Sequence, residues 1–181
     1  MSKKDALIKA AQFRVRIGGY SNFSFRELAK DVGIKSASVH YHFPTKEDLG
    51  AELARKYTDN FLTNLGEPSA LLEAGQNPID IYINQFRQAL IRDKKMCLCG
   101  LLGAESEALP IKVRNEAQRF FKKNIAWLEQ AHQICSPYNA MQAKANATKT
   151  VALLEGAMLI SKTLDDNQIF ELAIESLLSS R

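Results

Sequence analysis

Cysteine is scarce in this chain, with three among 181 residues, at 97, 99 and 135. An odd, small number argues against a disulfide framework, and the thiols are expected to be reduced. Proline (five) and glycine (nine) are also few, which excludes collagen-like and low-complexity chains. No long apolar run is present. The N-terminal MSKKDALIKAAQF lacks the apolar centre of a signal peptide. The most apolar later stretch, VALLEGAMLI, spans ten residues and contains Glu155, too short and too polar for a bilayer. A cytoplasmic protein with no membrane partner is expected. Catalytic signatures are missing as well: no Ser/His/Asp order, no glycine-rich phosphate loop and no HExxH. The chain is therefore read as a non-enzyme, with no cofactor and no metal.

What is present is an uneven charge. The net charge is +4, but residues 1–57 hold eleven Lys/Arg against six Asp/Glu, a net of +5. Residues 58–181 hold 13 against 14, a net of −1. A polyanion-binding module joined to a neutral body fits this asymmetry, and clustered solvated lysines are the bland alternative. Strand signals are scarce, and apolar residues recur at steps of three and four. Helices are expected at 3–17, 25–32, 36–43 and 46–65 and, behind Pro78, at 78–94. Further helices are expected at 111–135, 139–164 and 166–179, with Pro110 and Pro137 bounding the first of these. The fold class is all-α, with about nine helices.

The two helices nearest the C-terminus are apolar over too wide an arc for one covered face. Val151, Leu154 and Met158 line one side, while Leu153, Gly156, Leu159 and Ile160 line another. Either other helices of the chain cover both sides, or an identical helix of a second subunit covers one.

Two histidines, His40 and His42, flank Tyr41. On a strand they would share a face and could chelate one ion; on a helix they diverge by roughly 200°. The surroundings favour the helix. Ser24-Phe25-Arg26-Glu27 matches a capping box. Gly33 then ends a short helix, and a second short helix begins at Lys35 or Ser36 and stops at Phe43-Pro44. Thr45 caps the long helix that follows. Two short helices around a glycine-containing turn form a helix-turn-helix. Ala29 permits their close crossing, and Leu28, Val32, Ile34 and Val39 fill the wedge. Val39 and Phe43 are assigned to the core.

Residues from Ala6 to Leu53 resemble the N-terminal domain of the TetR family of bacterial transcription regulators. The matching features are a helix ending at Gly-aromatic, a Leu-Ala-x-x-x-Gly helix, and a recognition helix running into Phe-Pro-x-Lys-x-x-Leu. The resemblance implies a DNA-binding domain at 1–48 and an effector-binding and dimerisation domain at 49–181. It implies a homodimer on a palindromic double-stranded operator, acting as a repressor and released by a small effector.

A recognition helix presents its first residues to base edges in the major groove. Here these are Lys35, Ser36, Ala37 and Ser38, followed by His40 and Tyr41. Lys35 suits guanine, and the Ala37 methyl suits thymine. Tyr41, His42, Thr45 and Lys46 are expected at phosphates, with Ser24 and Arg26 on the other side of the groove. The family most often has tyrosine where His40 stands, which puts that phosphate contact in doubt. His42 packed near Phe43 is the structural alternative.

In the body, Phe61, Tyr82, Phe86, Phe120, Phe121 and Trp127 are candidate effector contacts or simply core, and the default effector is small and mostly apolar. Val151, Leu154, Gly156, Met158, Leu159, Phe170, Ile174 and Leu177 are the candidate dimer interface. The stretch KKMCLCGLLGAESEALP resembles that of a branch containing electrophile sensors. Cys97, following Lys94 and Lys95 near a helix start, is a candidate effector contact and reactive thiol. Packing of both thiols as small hydrophobes is the alternative. A Cys97, Cys99, His132 and Cys135 zinc set has suitable donors but unsuitable helical spacing. A helical interaction module without DNA binding remains the third reading.

Overall fold

The computed structural model describes residues 2–136 and 140–178, with the side chains of Ala140, Met141 and Ser176 outside the description. The expected helix limits at Asn139 and Ser179, and the stop at Pro137, lie outside the described residues. All regular structure among the described residues is helical. Among the described residues no helix is long and apolar enough to cross a membrane.

The elements are α1 (Lys3–Gly18), a 3₁₀ turn (Tyr20–Asn22), α2 (Phe25–Val32), α3 (Ser36–His42), α4 (Lys46–Leu65), α5 (Pro68–Glu73) and α6 (Pro78–Arg87). A π-helical turn (Gln88–Arg92) follows, then α7 (Leu98–Ala104), α8 (Ile111–Cys135), α9 (Ala140–Leu164) and α10 (Gln168–Leu178). Local chemistry sets these limits. Asn77 accepts from the Ile79 amide at 2.9 Å with Pro78 at the first helical position, which satisfies otherwise orphaned donors. The single helix expected over 78–94 is α6 followed by the π turn, a change that an apolar period of three and four cannot reveal. Helix α5 was not anticipated; its signal is Pro68 at the first helical position.

Two compact units result. One comprises residues 1–60 and 98–120, the other 61–97 and 121–181. In the first, Leu7, Ala11 and Val15 of α1 are fully covered, with Leu28, Val39, Leu49 and Leu53. In the second, Tyr82, Leu128, Leu154, Met158, Phe170 and Ile174 form the fully covered centre. Arg87 on α6 clamps Glu171 on α10 through two bonds of 2.8 and 2.9 Å.

Candidate nucleic-acid interface

Helices α2 and α3 form the helix-turn-helix. Ser24 Oγ accepts from the Glu27 amide at 3.3 Å and donates to the Glu27 carboxylate at 2.8 Å. Gly33 takes φ 70°, ψ 37°, and the Ile34 amide reaches back to the Ala29 carbonyl at 2.9 Å. This is the left-handed glycine closure of a helix C-terminus. Ala29 is covered in the wedge with Leu28, Val39 and Phe43. Arg14 of α1 holds α2 in place through Asp31 at 2.5 Å and Glu27 at 3.2 Å. Its guanidinium draws the Asp31 carboxyl below the usual range.

The outer surface of α3 is open. Lys35, Ser36, Ala37, His40 and Tyr41 are exposed, while Ser38 and His42 are half-buried. Tyr41 is 86% exposed, unusual for a large aromatic with no partner to meet. The helix separates the two histidines. His40 lies edge-on to Phe25 at 4.8 Å, and His42 lies against Tyr41 at 5.2 Å. Among the described residues no group of three or more His, Cys, Asp or Glu is placed to hold a metal.

Three of the expected phosphate contacts are already engaged. The Lys46 ammonium sits 4.4 Å from the Phe23 ring centre and 4.7 Å from that of Tyr20, and partial burial lowers its pKa. Thr45 and Asp48 bond reciprocally: the Thr45 hydroxyl donates at 2.7 Å and the Asp48 amide returns at 3.1 Å. The start of α4 therefore carries Asp48 where free amides were expected for an anion. The Ser24 hydroxyl hydrogen is given to Glu27, while Arg26 is exposed beside it.

Sequence reasoning missed one contact to this unit. Both carboxylate oxygens of Glu105, just past α7, accept from the Tyr20 amide at 3.2 Å. Gly19 (φ 77°) admits the approach; a Cβ there would lie 1.8 Å from Glu105 Oε1. The Gly18-Gly19 pair was the local signal, but its partner lies 85 residues away.

Residues 16–53 match the profile of bacterial regulatory proteins of the tetR family. Over 168 residues the chain is 22% identical to the HTH-type transcriptional regulator LmrA of Bacillus subtilis, covering 88% of this chain and 86% of that one. It is similar to a TetR transcriptional regulator from Legionella pneumophila at 26% identity and TM-score 0.87, over 99% and 97% of the two chains. A TetR-family regulator from Agrobacterium tumefaciens shares 27% identity at TM-score 0.79, over 98% and 96%. Residues 16–53 therefore carry a DNA-binding domain of the tetR type, and the chain as a whole shares the fold of TetR regulators.

In the C-terminal unit, the expected effector contacts divide. Tyr82 packs with Phe61, Phe86 and Trp127 at ring separations of 5.5–5.6 Å, and its hydroxyl donates to Asn124 at 2.8 Å. Trp127 donates to the Gly66 carbonyl at 2.8 Å, and Phe121 is half-buried. Phe120 instead belongs to the N-terminal unit, where it packs on Tyr57 at 5.8 Å.

Cys97 is buried, with its amide donating to Met158 Sδ at 3.1 Å, and its thiol bonds the Glu155 carboxyl. A buried thiol beside a carboxyl is a weaker nucleophile than the lysine-primed thiolate expected from sequence. Glu155 Oε1 is buried without a partner, and desolvation raises its pKa to about 7. The folded state thus holds a proton that the unfolded chain releases above the ordinary carboxyl range. Glu155 should lower stability as pH rises from about 4.5 to 7, by about 3 kcal/mol in total, with no further loss above. Glu155→Gln should flatten that slope and raise stability at pH 8, read from urea unfolding at pH 5 and 8.

The expected dimer residues also need correction. Val151, Leu154, Met158, Phe170 and Ile174 are covered by their own chain, none more than 4% exposed, so a second copy cannot rest on them. The exposed large apolar residues of α9 and α10 are Leu159 (55%), Ile160 (49%), Leu164 (62%), Leu172 (63%) and Leu178 (41%). Gly156 lies on α9 with nothing within 4 Å of an added Cβ. Leu177 is half-buried.

Proposed function

We propose that this regulator is a cytoplasmic repressor that binds an inverted-repeat DNA operator as a homodimer and leaves it when a small effector occupies the body. The observation that supports this reading best is the open face of α3, where Lys35, Ser36, Ala37 and Tyr41 project uncovered. Small side chains there let a helix sit deep in a major groove, with Lys35 at its start to meet guanine. Tyr41 and Arg26 serve as phosphate contacts. The functional division is 1–48 for DNA and 49–181 for effector binding and pairing, and it differs from the compact units because function follows surfaces.

Pairing uses Gly156, Leu159, Ile160, Leu164 and Leu172. An exposed apolar strip on two adjacent helices is the kind of surface that a copy of itself covers. The effector is small and mostly apolar, in keeping with the rings of Phe61, Tyr82, Phe86 and Trp127.

Lys46 acts from its place over the two rings. Its ammonium has already shed part of its water, so meeting a phosphate costs less. Lys46→Ala should weaken binding to every DNA sequence and lower the slope of log K against log salt by about 1. An unchanged salt slope removes Lys46 from the phosphate contacts. The reading as a whole is tested by fluorescence anisotropy with the DNA upstream of the protein's own gene. Retention of that DNA over a mixed-sequence competitor is expected; equal loss to competitor contradicts it.

A further inference from the structure

A cavity of about 120 Å³ lies in the C-terminal unit, apart from every residue assigned above, lined by Leu90, Lys94, Ser161, Lys162, Asp165 and Asn167. It sits where the π-helical turn and α9 both end. Five of its six lining residues are polar or charged. Ser161 is 1% exposed, and its hydroxyl has no hydrogen-bond partner. Three threonines of the same helix show the usual alternative. Thr148, Thr150 and Thr163 each donate to the carbonyl four residues back, at 2.8–2.9 Å. Ser161 does not. A buried hydroxyl left unpaired is destabilising, and its partner then belongs in the cavity.

The surroundings narrow the partner's chemistry. Lys94 and Lys162 bring two ammonium groups, neither in an ion pair among the described residues. Lys94 and Asp165 are the two non-glycine residues with left-handed backbone among those described, at φ 52° and 51°. Each turns the chain back over a helix end. The Lys95 amide bonds the Ala89 carbonyl at 2.9 Å, Asp93 bonds Gln88 at 3.0 Å, and Asp166 bonds Ser161 at 3.0 Å. These bonds satisfy the carbonyls of Gln88, Ala89 and Ser161 at the two helix ends.

We propose that this cavity binds a hydrogen-phosphate group. The two ammonium groups neutralise it, and the Ser161 hydroxyl and Asn167 amide donate to its oxygens. The Asp165 carboxylate, which can only accept, accepts a hydrogen bond from the O–H that the phosphate retains near neutral pH. Sulfate has the same shape but no such proton, so it would place bare oxygen against Asp165. The space equals roughly four waters at about 30 Å³ each, enough for one tetrahedral oxyanion. Bound there, the group ties the exit of the π-helical turn to the end of α9. The end group of a phosphomonoester carries the same proton only below a pH of about 6, so free phosphate and a monoester are compared at about pH 5.5.

The test is calorimetric titration of the full-length protein at constant ionic strength with inorganic phosphate, phenyl phosphate and sulfate. Inorganic phosphate should saturate at one per chain, with sulfate at least about tenfold weaker. Ser161→Ala and Lys162→Met should each weaken phosphate by about tenfold. Asp165→Asn, which tolerates the left-handed backbone, should bring sulfate level with phosphate, an effect that loss of structure alone would not produce. Phenyl phosphate binding as well as inorganic phosphate assigns the cavity to a ligand's end group; weaker binding assigns it to the free ion. Non-saturating heats, equal affinity for sulfate in the native chain, or unchanged affinity in Ser161→Ala and Lys162→Met would overturn the proposal.

Discussion

Replacing both Leu159 and Ile160 with glutamate should leave a monomer that keeps its helical content but loses operator affinity by about 10²–10⁴-fold. The two side chains are about half exposed within one chain, so a charge there meets water and costs the single chain little. Across a covered apolar interface the same four carboxylates, two per copy, would be stripped of water without partners, which an association of this kind cannot absorb. Loss of pairing removes the second recognition helix, and with it the gain of a tethered second contact. Sedimentation velocity checks the mass, and titration of the operator checks the affinity. A double variant that remains dimeric would move the interface elsewhere. The opposite control is Val151→Glu, which puts a charge into the chain's own core and should unfold it.

The second large effect concerns Gly33. Gly33→Val should lower affinity for all DNA by about 100-fold or more, while Gly33→Asn retains most of it. Space is not the reason, because an added Cβ at Gly33 meets nothing within 4 Å. The backbone angle is. At φ 70° a β-branched residue is a genuine outlier, whereas asparagine adopts this region readily. Valine would be expected to release the turn and displace α3, breaking two or three base and phosphate contacts of about 1–3 kcal/mol each. Anisotropy titrations of the three proteins, with circular dichroism to confirm helix content, read the outcome. Equal affinities for valine and asparagine would show that the turn does not position α3.

The contrast between these two predictions shows where sequence alone suffices. The turn at Gly33 was legible because capping chemistry is local. Ser24 with Glu27, Gly33 with Ala29, and Thr45 with Asp48 lie three or four residues apart, within the reach of one helical turn. The all-α class and the two-helix reading unit follow from such signals and the apolar period. The dimer face was only half legible. The two apolar sides of α9 were visible, but which one the chain covers is a long-range fact. Burial of Val151, Leu154 and Met158 depends on neighbours such as Phe170 and Ile174 of α10, and no local pattern ranks one side above the other. Glu105 at the Tyr20 amide was invisible for the same reason. The seat of the Lys46 ammonium over the aromatic rings at positions 20 and 23 was not legible, because a count of positive charges treats every lysine as free. Cys97 was misjudged likewise: the two lysines before it were visible, whereas Glu155 comes from 58 residues further along the chain.

Operator reading by a paired α3 is tested most directly by selection of bound duplexes from a random DNA pool by the purified protein, followed by stoichiometry on the selected sequence. An inverted repeat is expected, bound by two chains, with half-site centres about one helical turn apart, roughly 34–36 Å, and lost when Lys35 and Tyr41 are both replaced by alanine. A pool without an enriched sequence, a single unrepeated site held by one chain, or the same selection by the Lys35→Ala, Tyr41→Ala double variant would contradict it.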